Sequence, residues 1–591
     1  MRFPAKWRWA AGLLAGIFGL ILTGLCGCEV GVANDPASRA AMELRNLLID
    51  PHPDTAGDGG VKGIDSQENR SPQTVLRVAI VEDPDLYRRM APLVDSLGIS
   101  LSATLFDSET SARQKSSPPS VRIELFEATV SEAADADVVI LSRSRLGSLA
   151  TAAETNPNTD SAENPFTSIP AVFRGDLREV ERITGSVRGT AEDSLGAADM
   201  RRLVEVAETL RREWNDTFPA VVATQTRWGT ETVAVPLGVV IPVVFRRDAT
   251  ADAVTTGRSG EAFPATWSAF DAYCAELRMA ASELPTAATN TEFTLLEPMN
   301  GIHAAESLLM RAAPYLVRPS QFSTLLQVDT MEPELMSPPI VRALTEMVGT
   351  YAELMPSQRE EFLAHGPDAV SETFWAGHAA MKISTPQEIL PVGIAGSPDT
   401  TPSAPSAVPS VTSVGFSPIP GSDVVYHAGT GDWRTREKGE SVYVPYISDA
   451  RIGVVLKSSS SPLAALRFLI NLASAENRVR VLTAGRVSGP FRFSDETVSS
   501  SWYGEAFSAT MSRSLFRSQQ RPASGSTALS FPSISGRDEY LAALSDAVRS
   551  AIRSEQTPLK ALESATVAWN RITESHGAEL QKQLYHRSLG L

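Results

Sequence analysis

Val233-Ala-Val-Pro236-Leu-Gly238-Val-Val-Ile-Pro242-Val-Val-Phe-Arg246 is the stretch of this chain that decides its fold. Two strand-like runs flank Pro236 and Gly238, and Pro242 interrupts the second. Proline cannot donate to a sheet ladder, and glycine in a strand marks a bend or a close backbone approach. A crossover between two lobes has this form.

The flanking sequence supplies sheets for such a crossing to join. LRVAIVE from Leu76 is β-branched and weakly alternating, which reads as a buried strand. Val94 to Leu101 ends a helix that leads to a second strand, and Asp137-VVIL-Ser142 is another short apolar strand. Strands spaced by helix-length segments imply parallel α/β units. Met200, Leu203, Val204, Ala207, Leu210 and Trp214 mark an amphipathic helix. Downstream, Thr266 is an N-cap before Trp267, and Phe374-Trp375-Ala-Gly377-His378-Ala-Ala-Met381 is a helix end turning into a strand. Ile452 to Leu456 is a further strand, and Ser461-Pro462 opens a helix through Leu466, Leu469 and Ile470. Two amphipathic helices follow at about 538–553 and 558–574. No internal repeat is visible. The fold class is α/β, with two lobes and more than one crossing.

The N-terminus sets the compartment. Arg2, Lys6 and Arg8 precede a sixteen-residue apolar run, Ala10 to Leu25, the pattern of a signal peptide. The run is shorter than the ~20 residues of a comfortable membrane span. Leu25-Cys26-Gly27-Cys28 resembles a bacterial lipoprotein cleavage box in which Cys28 takes the lipid, whereas Cys26 has Leu25 directly before it. An ordinary secretory peptide or an uncleaved anchor is the alternative. Residues 1–27 are then the signal peptide and 28–74, rich in Pro, Gly, Asp and Ser beyond a helical patch at Ala40 to Leu48, a flexible tether. Cleavage leaves Cys274 as the single unmodified cysteine, so no intramolecular disulfide is possible. Its stripe of Trp267, Phe270, Cys274 and Leu277 makes it a buried apolar residue, not a nucleophile.

At 591 residues the chain holds two to four domain-sized units. Loss of Arg2, Lys6 and Arg8 takes the formal charge from −16 to −19, which argues against sequence-independent binding to nucleic-acid phosphates. No phosphate loop, dinucleotide fingerprint, serine-hydrolase elbow, HExxH or CxxC occurs. The seven histidines include no i, i+4 pair, so no metal site is expected. Glu82-Asp83 follows the first strand, where ligands of open parallel sheets bind. Adjacent strand residues face opposite ways, so the two cannot flank one glycosidic bond. Asp83 is therefore a ligand candidate, with a solvated carboxylate as its alternative. Arg143-Ser144-Arg145, after the 137–142 strand, is placed to meet hydroxyls or a carboxylate, or to make surface ion pairs. Trp228, Trp375, Trp433 and Trp502 lie in Gly-rich or polar contexts, suited to stacking on a sugar's C–H face or to partial burial under loops. Trp267 and Trp569 lie in helical stripes and belong to the core.

Taken together, several segments resemble extracellular solute-binding proteins of family 1, the maltose-binding-protein type, and more closely divergent lipoproteins of that type in planctomycete-like bacteria. They are Asp137-VVILSRSRLGSLA, Arg227 to Gly238 with Val244 to Asp248, Pro264 to Trp267, and Phe374 to Gly377 with Ala380-Met381. Val414 to Gly421, Ile452 to Ser461 and Pro490 to Ser494 complete the set, in the family's order, over residues 75–575. The resemblance implies a two-lobed periplasmic-binding-protein fold of type II, with lobe 1 from 75–240 and 443–510, lobe 2 from 241–442, and a helical segment at 511–591 packed on both. It implies a first crossing in Ala234 to Arg246 and a return near Tyr443 to Leu456. It places Ser142, Arg143, Trp228, Gly238 and the Ala380 to Gln387 segment, with Thr385, along a ligand cleft. Many sugar-binding members carry an aromatic residue soon after the Ala-Met pair, and Met381-Lys-Ile-Ser-Thr-Pro386-Gln387 has none. Trp375 or Trp433 then supplies the stacking surface, or the ligand is not a sugar. Pro/Ser-rich insertions at 150–168 and 393–413 loosen the match.

The function so implied is that of an ABC importer's receptor for a small polar solute, a sugar or oligosaccharide, held to the membrane by a lipid and working with a permease. It needs neither cofactor nor catalysis. A ligand-sensing lipoprotein without transport and a secreted carbohydrate-active hydrolase are the alternatives.

Overall fold

Among the described residues the strands are, in chain order, β1 (Thr74–Val81), β2 (Val121–Ala128), β3 (Val138–Ser142), β4 (Arg227–Trp228), β5 (Glu231–Thr232), β6 (Ala234–Val240), β7 (Val243–Arg247), β8 (Phe293–Leu296), β9 (Ala379–Ser384), β10 (Val414–Pro418), β11 (Val424–His427), β12 (Asp432–Thr435) and β13 (Asp449–Val455). The structure, a computed structural model, describes residues 74–103, 121–154, 164–169, 174, 208, 211–247, 263–283, 292–318, 321, 323–385, 414–483, 489–504 and 507–591. The expected signal peptide, the Cys28 lipid site, the tether up to residue 73 and the 393–413 loop lie outside the described residues, as does most of the expected Met200–Trp214 helix.

The first sheet has the order β2-β1-β3-β13-β6. β1 pairs in parallel with β2 and β3, and β13 runs antiparallel to both β3 and β6. TVLRVAIV and VVILS become inner strands because both faces are covered, and strands buried on both faces read as near-continuous apolar runs. Pro236 is accommodated because β6 is an edge strand. Arg451 pairs with Gly238 and Ile452 with Pro236, so Leu237 bulges out of register beside the residue that lacks an N–H.

The second sheet has the order β10-β7-β9-β8, with β8 parallel to β9 and the other pairs antiparallel. Only Ile241 and Pro242 separate β6 in the first sheet from β7 in the second, so the chain passes directly from one to the other. It returns between β10 and β13. On that return Gly421 lies so close to Val442 that a Cβ would stand 1.9 Å from the Val442 carbonyl oxygen. Only glycine allows the two backbone segments to approach this way.

Helices cover both sheets. Trp267–Glu283 starts after Thr266, whose hydroxyl accepts from the Ala269 N–H at 3.4 Å, and it buries Trp267, Phe270, Cys274 and Leu277. The Pro462–Leu472 helix begins as its proline implies, but Ser461 makes no side-chain cap. His303–Leu316 is buried along almost its whole length. It carries Arg311 into an internal ion network, 3.1 Å from Asp271 and 4.2 Å over the Trp267 ring, with Glu297 at 4.0 Å. Asp271 and Glu297 supply counter-charge to a guanidinium that would be costly to bury alone.

The C-terminal part forms Ala509–Ala523, Arg537–Ile552, Pro558–Ser575 and Ala578–Leu589. Arg537–Ile552 packs on His303–Leu316 and Pro338–Tyr351, and Ala578–Leu589 reaches back to β4. Trp569 is fully buried, and its indole N–H donates to the Tyr540 carbonyl at 2.8 Å.

Candidate ligand-binding cleft

A cavity of about 660 Å³ opens where the crossing segments meet both sheets. The end of β6 and Pro242 form one wall, with Tyr446, Ser448 and Asp449 of the returning chain beside them. The end of β9, from Ile383 to Thr385, contributes from the second sheet. Four helices begin here. Asp85, His303, Pro367 and Arg537 each stand in a first helical turn at its edge. Helix N-termini present unpaired N–H groups and a partial positive charge, and Asp85, Glu306, Asp368 and Asp538 in those first turns complement it.

Arg537 is the central cation of the cleft. Its helix starts at Gly536, held at φ 72, where a Cβ would strike the His576 ring at 2.4 Å. That turn directs Arg537 inward, and the guanidinium donates to Glu306 and to the Ser448 carbonyl, both at 3.2 Å. Burial works against its charge, but Tyr446, Asp449, Glu306 and Asp538 outweigh burial and hold it above the usual guanidinium value. Glu306 also meets His303 Nδ1 at 3.0 Å. Burial pushes the Tyr446 phenol well up, Glu306 and Asp449 add to the effect, and Arg537 opposes it.

A smaller cavity of about 170 Å³ shares Asp449 and Arg537 with the first and lies at the carboxyl ends of β1 and β3. Asp449 accepts hydrogen bonds from Ser142 and, at 3.2 Å, from Ser144. Glu82 adopts the left-handed conformation, φ 53, and pairs with Arg145 at 3.1 Å.

The residues singled out in the sequence divide into those at these cavities and those elsewhere. Thr385 lines the large cavity, and Asp83 and Ser142 line the small one. Asp83 is already engaged: one carboxylate oxygen caps the Pro84–Met90 helix through the Leu86 N–H, and the other binds Arg451 at 2.6 Å. Arg143 lines neither cavity. It turns into the interior, where it bonds Ser533 and the Arg227 carbonyl and stands 5.7 Å over the Trp228 ring. Burial lowers its pKa to about 10, against the support of Asp449. Trp228 is 1% exposed and packs edge-on against Phe166, so it offers no face to a cleft. Gly238 lies within the β6–β13 ladder. Trp375 is buried against Phe374 and Phe507, with the Lys382 ammonium 5.7 Å from its ring. Trp433 stands on the exposed β11–β12 hairpin, 38% exposed, beside Tyr315, Tyr426 and Arg342. Trp502 is buried edge-on to Phe491.

The sequence reading missed His303, Glu306, Asp368, Tyr446, Asp449 and Arg537. Their signal was positional: Asp368 follows Gly366-Pro367, and Arg537 follows Gly536, both helix-start patterns. The arrangement mixes carboxylate acceptors, hydroxyls, a guanidinium and helix N–H groups, with one aromatic side chain besides the histidine. It is chemistry for hydrogen-bonding many hydroxyls.

No protein-family model and no curated protein matches the chain. Among solved structures, it is similar to the sugar-binding protein MalE from the phytopathogen Xanthomonas citri, at 14% identity and a TM-score of 0.50, over 86% of this chain and 98% of that one. It is also similar to a cyclic alpha-maltosyl-1,6-maltose binding protein from Arthrobacter globiformis, at 14% identity and a TM-score of 0.48, over 85% of this chain and 100% of that one. With the sheet orders and the direct β6–β7 passage between the sheets, the first of these likenesses shows that the chain has the two-lobed α/β fold of periplasmic solute-binding proteins.

Proposed function

We propose that this protein is an extracytoplasmic receptor that binds a small polar solute, a sugar or polyol, by closing its two lobes, and presents it to an ABC permease without chemical change. The observation that supports this reading is the 660 Å³ cavity, lined by hydrogen-bonding groups from both sheets and from both crossing segments. Residues at the crossings change surroundings when such lobes move, which suits a ligand that stabilises the closed form. A lipid on Cys28 and the tether at 28–74 would hold the receptor near its permease.

Thermal unfolding of the chain against a panel of monosaccharides, oligosaccharides, alditols and amino acids tests the binding. A ligand at one hundred times its Kd adds about 2.7 kcal/mol to native stability, a readable shift of the midpoint. The expected result is a shift with a sugar or alditol that Asp368→Ala or Thr385→Ala abolishes. A flat response over the whole panel, or release of a cleaved product from a bound glycoside, refutes the reading. Solute uptake by cells lacking the chain tests the transport step separately.

A further inference from the structure

Tyr446 lies on the chain segment that returns between the sheets, lines the large cavity and is 2% exposed. Its backbone is pinned on both sides: the Ile447 N–H donates to the Leu529 carbonyl at 2.8 Å, and the Leu529 N–H to the Pro445 carbonyl at 2.9 Å. The phenol oxygen is buried with no hydrogen-bond partner among the described residues. Other buried tyrosines differ. The hydroxyl of Tyr315 bonds Glu346, that of Tyr351 bonds Glu297, and that of Tyr503 bonds Gln519. Tyr540 bonds Thr573, and Tyr585 bonds the Leu326 carbonyl.

The charged groups that act on the Tyr446 phenol do not accept its proton. Arg537 is a donor only. Glu306 is engaged with Arg537 at 3.2 Å and His303 at 3.0 Å. Asp449 is engaged with Ser142, with Ser144 at 3.2 Å and with the Ala450 N–H at 2.8 Å. Burial holds the phenol protonated, so it stays a donor at neutral pH. Arg537 Nε is also covered and without a partner, and among the described residues lining the cavity these two alone carry such an atom. A buried donor without an acceptor lowers stability, whereas a phenylalanine ring would fill the same space at no such cost. Side chains at a crossing rearrange as lobes close, and a sugar hydroxyl brings the acceptor oxygen that the phenol lacks.

Resting on the receptor reading above, we infer that Tyr446 is a specificity-determining residue of the cleft, its O–H kept for one oxygen of the solute at the expense of native stability. A solute lacking that oxygen leaves the proton unmatched and is rejected. Isothermal titration and thermal unfolding of the full chain test this with the monosaccharide glucose, the oligosaccharide maltotriose and the alditol glucitol, on wild type, Tyr446→Phe and Tyr585→Phe. Tyr446→Phe binds whichever probe the wild type binds about tenfold more weakly, the upper range for one uncharged hydrogen bond. Its unfolding midpoint without sugar is unchanged or higher. Tyr585→Phe, which loses its bond to the Leu326 carbonyl, unfolds at a lower temperature and keeps wild-type affinity. Among singly deoxygenated analogues of the bound probe, one binds the wild type about tenfold more weakly than its parent but binds Tyr446→Phe equally well. Affinity of Tyr446→Phe within about twofold of wild type overturns the inference and leaves the receptor reading standing, as does the lack of such an analogue. An affinity loss accompanied by a lowered midpoint marks a structural hydroxyl and also overturns it. Wild-type protein that binds none of the three probes overturns the inference together with the reading it rests on.

Discussion

Asp83→Asn separates two roles that one carboxylate now combines. Asp83 Oδ1 accepts the Leu86 N–H at 3.1 Å, while Oδ2 accepts Arg451 Nε at 3.1 Å and Nη2 at 2.6 Å. The Arg451 side chain is 2% exposed, and its Nη1 donates to the Leu482 carbonyl at 3.1 Å. Asparagine keeps an oxygen for the helix cap but takes from the buried guanidinium its directly bonded carboxylate, leaving only the more weakly acting Asp85. Breaking a buried pair on one side costs about 3–5 kcal/mol. Asp83→Ala also removes the cap and costs about 1 kcal/mol more. Adding Arg451→Met to Asp83→Asn removes the stranded charge in a similar volume, and most of the loss returns. Urea unfolding at pH 7, followed by far-ultraviolet circular dichroism, reads all three. A cost below about 1 kcal/mol for Asp83→Asn refutes the reasoning. So does a double variant no more stable than the single one, because the unpaired guanidinium would then not be the source of the cost.

Gly421→Ala forces a Cβ to within 1.9 Å of the Val442 carbonyl, which is backbone and cannot swing aside, so stability falls by about 1–3 kcal/mol or more in thermal unfolding. Burial pushes the Cys274 thiol up to about 12, with Asp271 adding to the shift, and the thiolate is the reactive form. At pH 8 Cys274 of the native protein therefore resists iodoacetamide and reacts fast once urea exposes it, as read by peptide mass; rapid native labelling of Cys274 contradicts the burial. Trp433→Ala, on the exposed hairpin, leaves the affinity of any cleft ligand within about twofold by titration. A tenfold loss would bring that hairpin back into the cleft.

Local signals carried much of this fold. The 137–142 strand reads correctly because four apolar residues between polar ends suit an inner strand covered on both faces. The helices at Arg537–Ile552 and Pro558–Ser575 follow from apolar periodicity and, in the second, from the Thr557 cap, whose hydroxyl accepts the Lys560 N–H. The cleft was much less legible. Arg143 and Trp228 lie about 85 residues apart, and nothing in either neighbourhood tells that the guanidinium would cover the indole. Trp375 likewise spends its face on Phe374, Phe507 and Lys382.

By itself, the sequence determined the class of strand and helix, the first crossing within Ala234 to Arg246 and the burial of Trp267, Cys274 and Trp569. Each of these rests on residues within a few positions of one another, where periodicity, caps and proline geometry act. Only the tertiary structure decided that Asp85, Glu306, Asp368, Asp449 and Arg537 share one cavity. They come from the starts of four helices and one strand scattered over more than 450 residues. No local rule couples residues that distant, and the packing of both sheets around the two crossings is what brings their charges to one cavity.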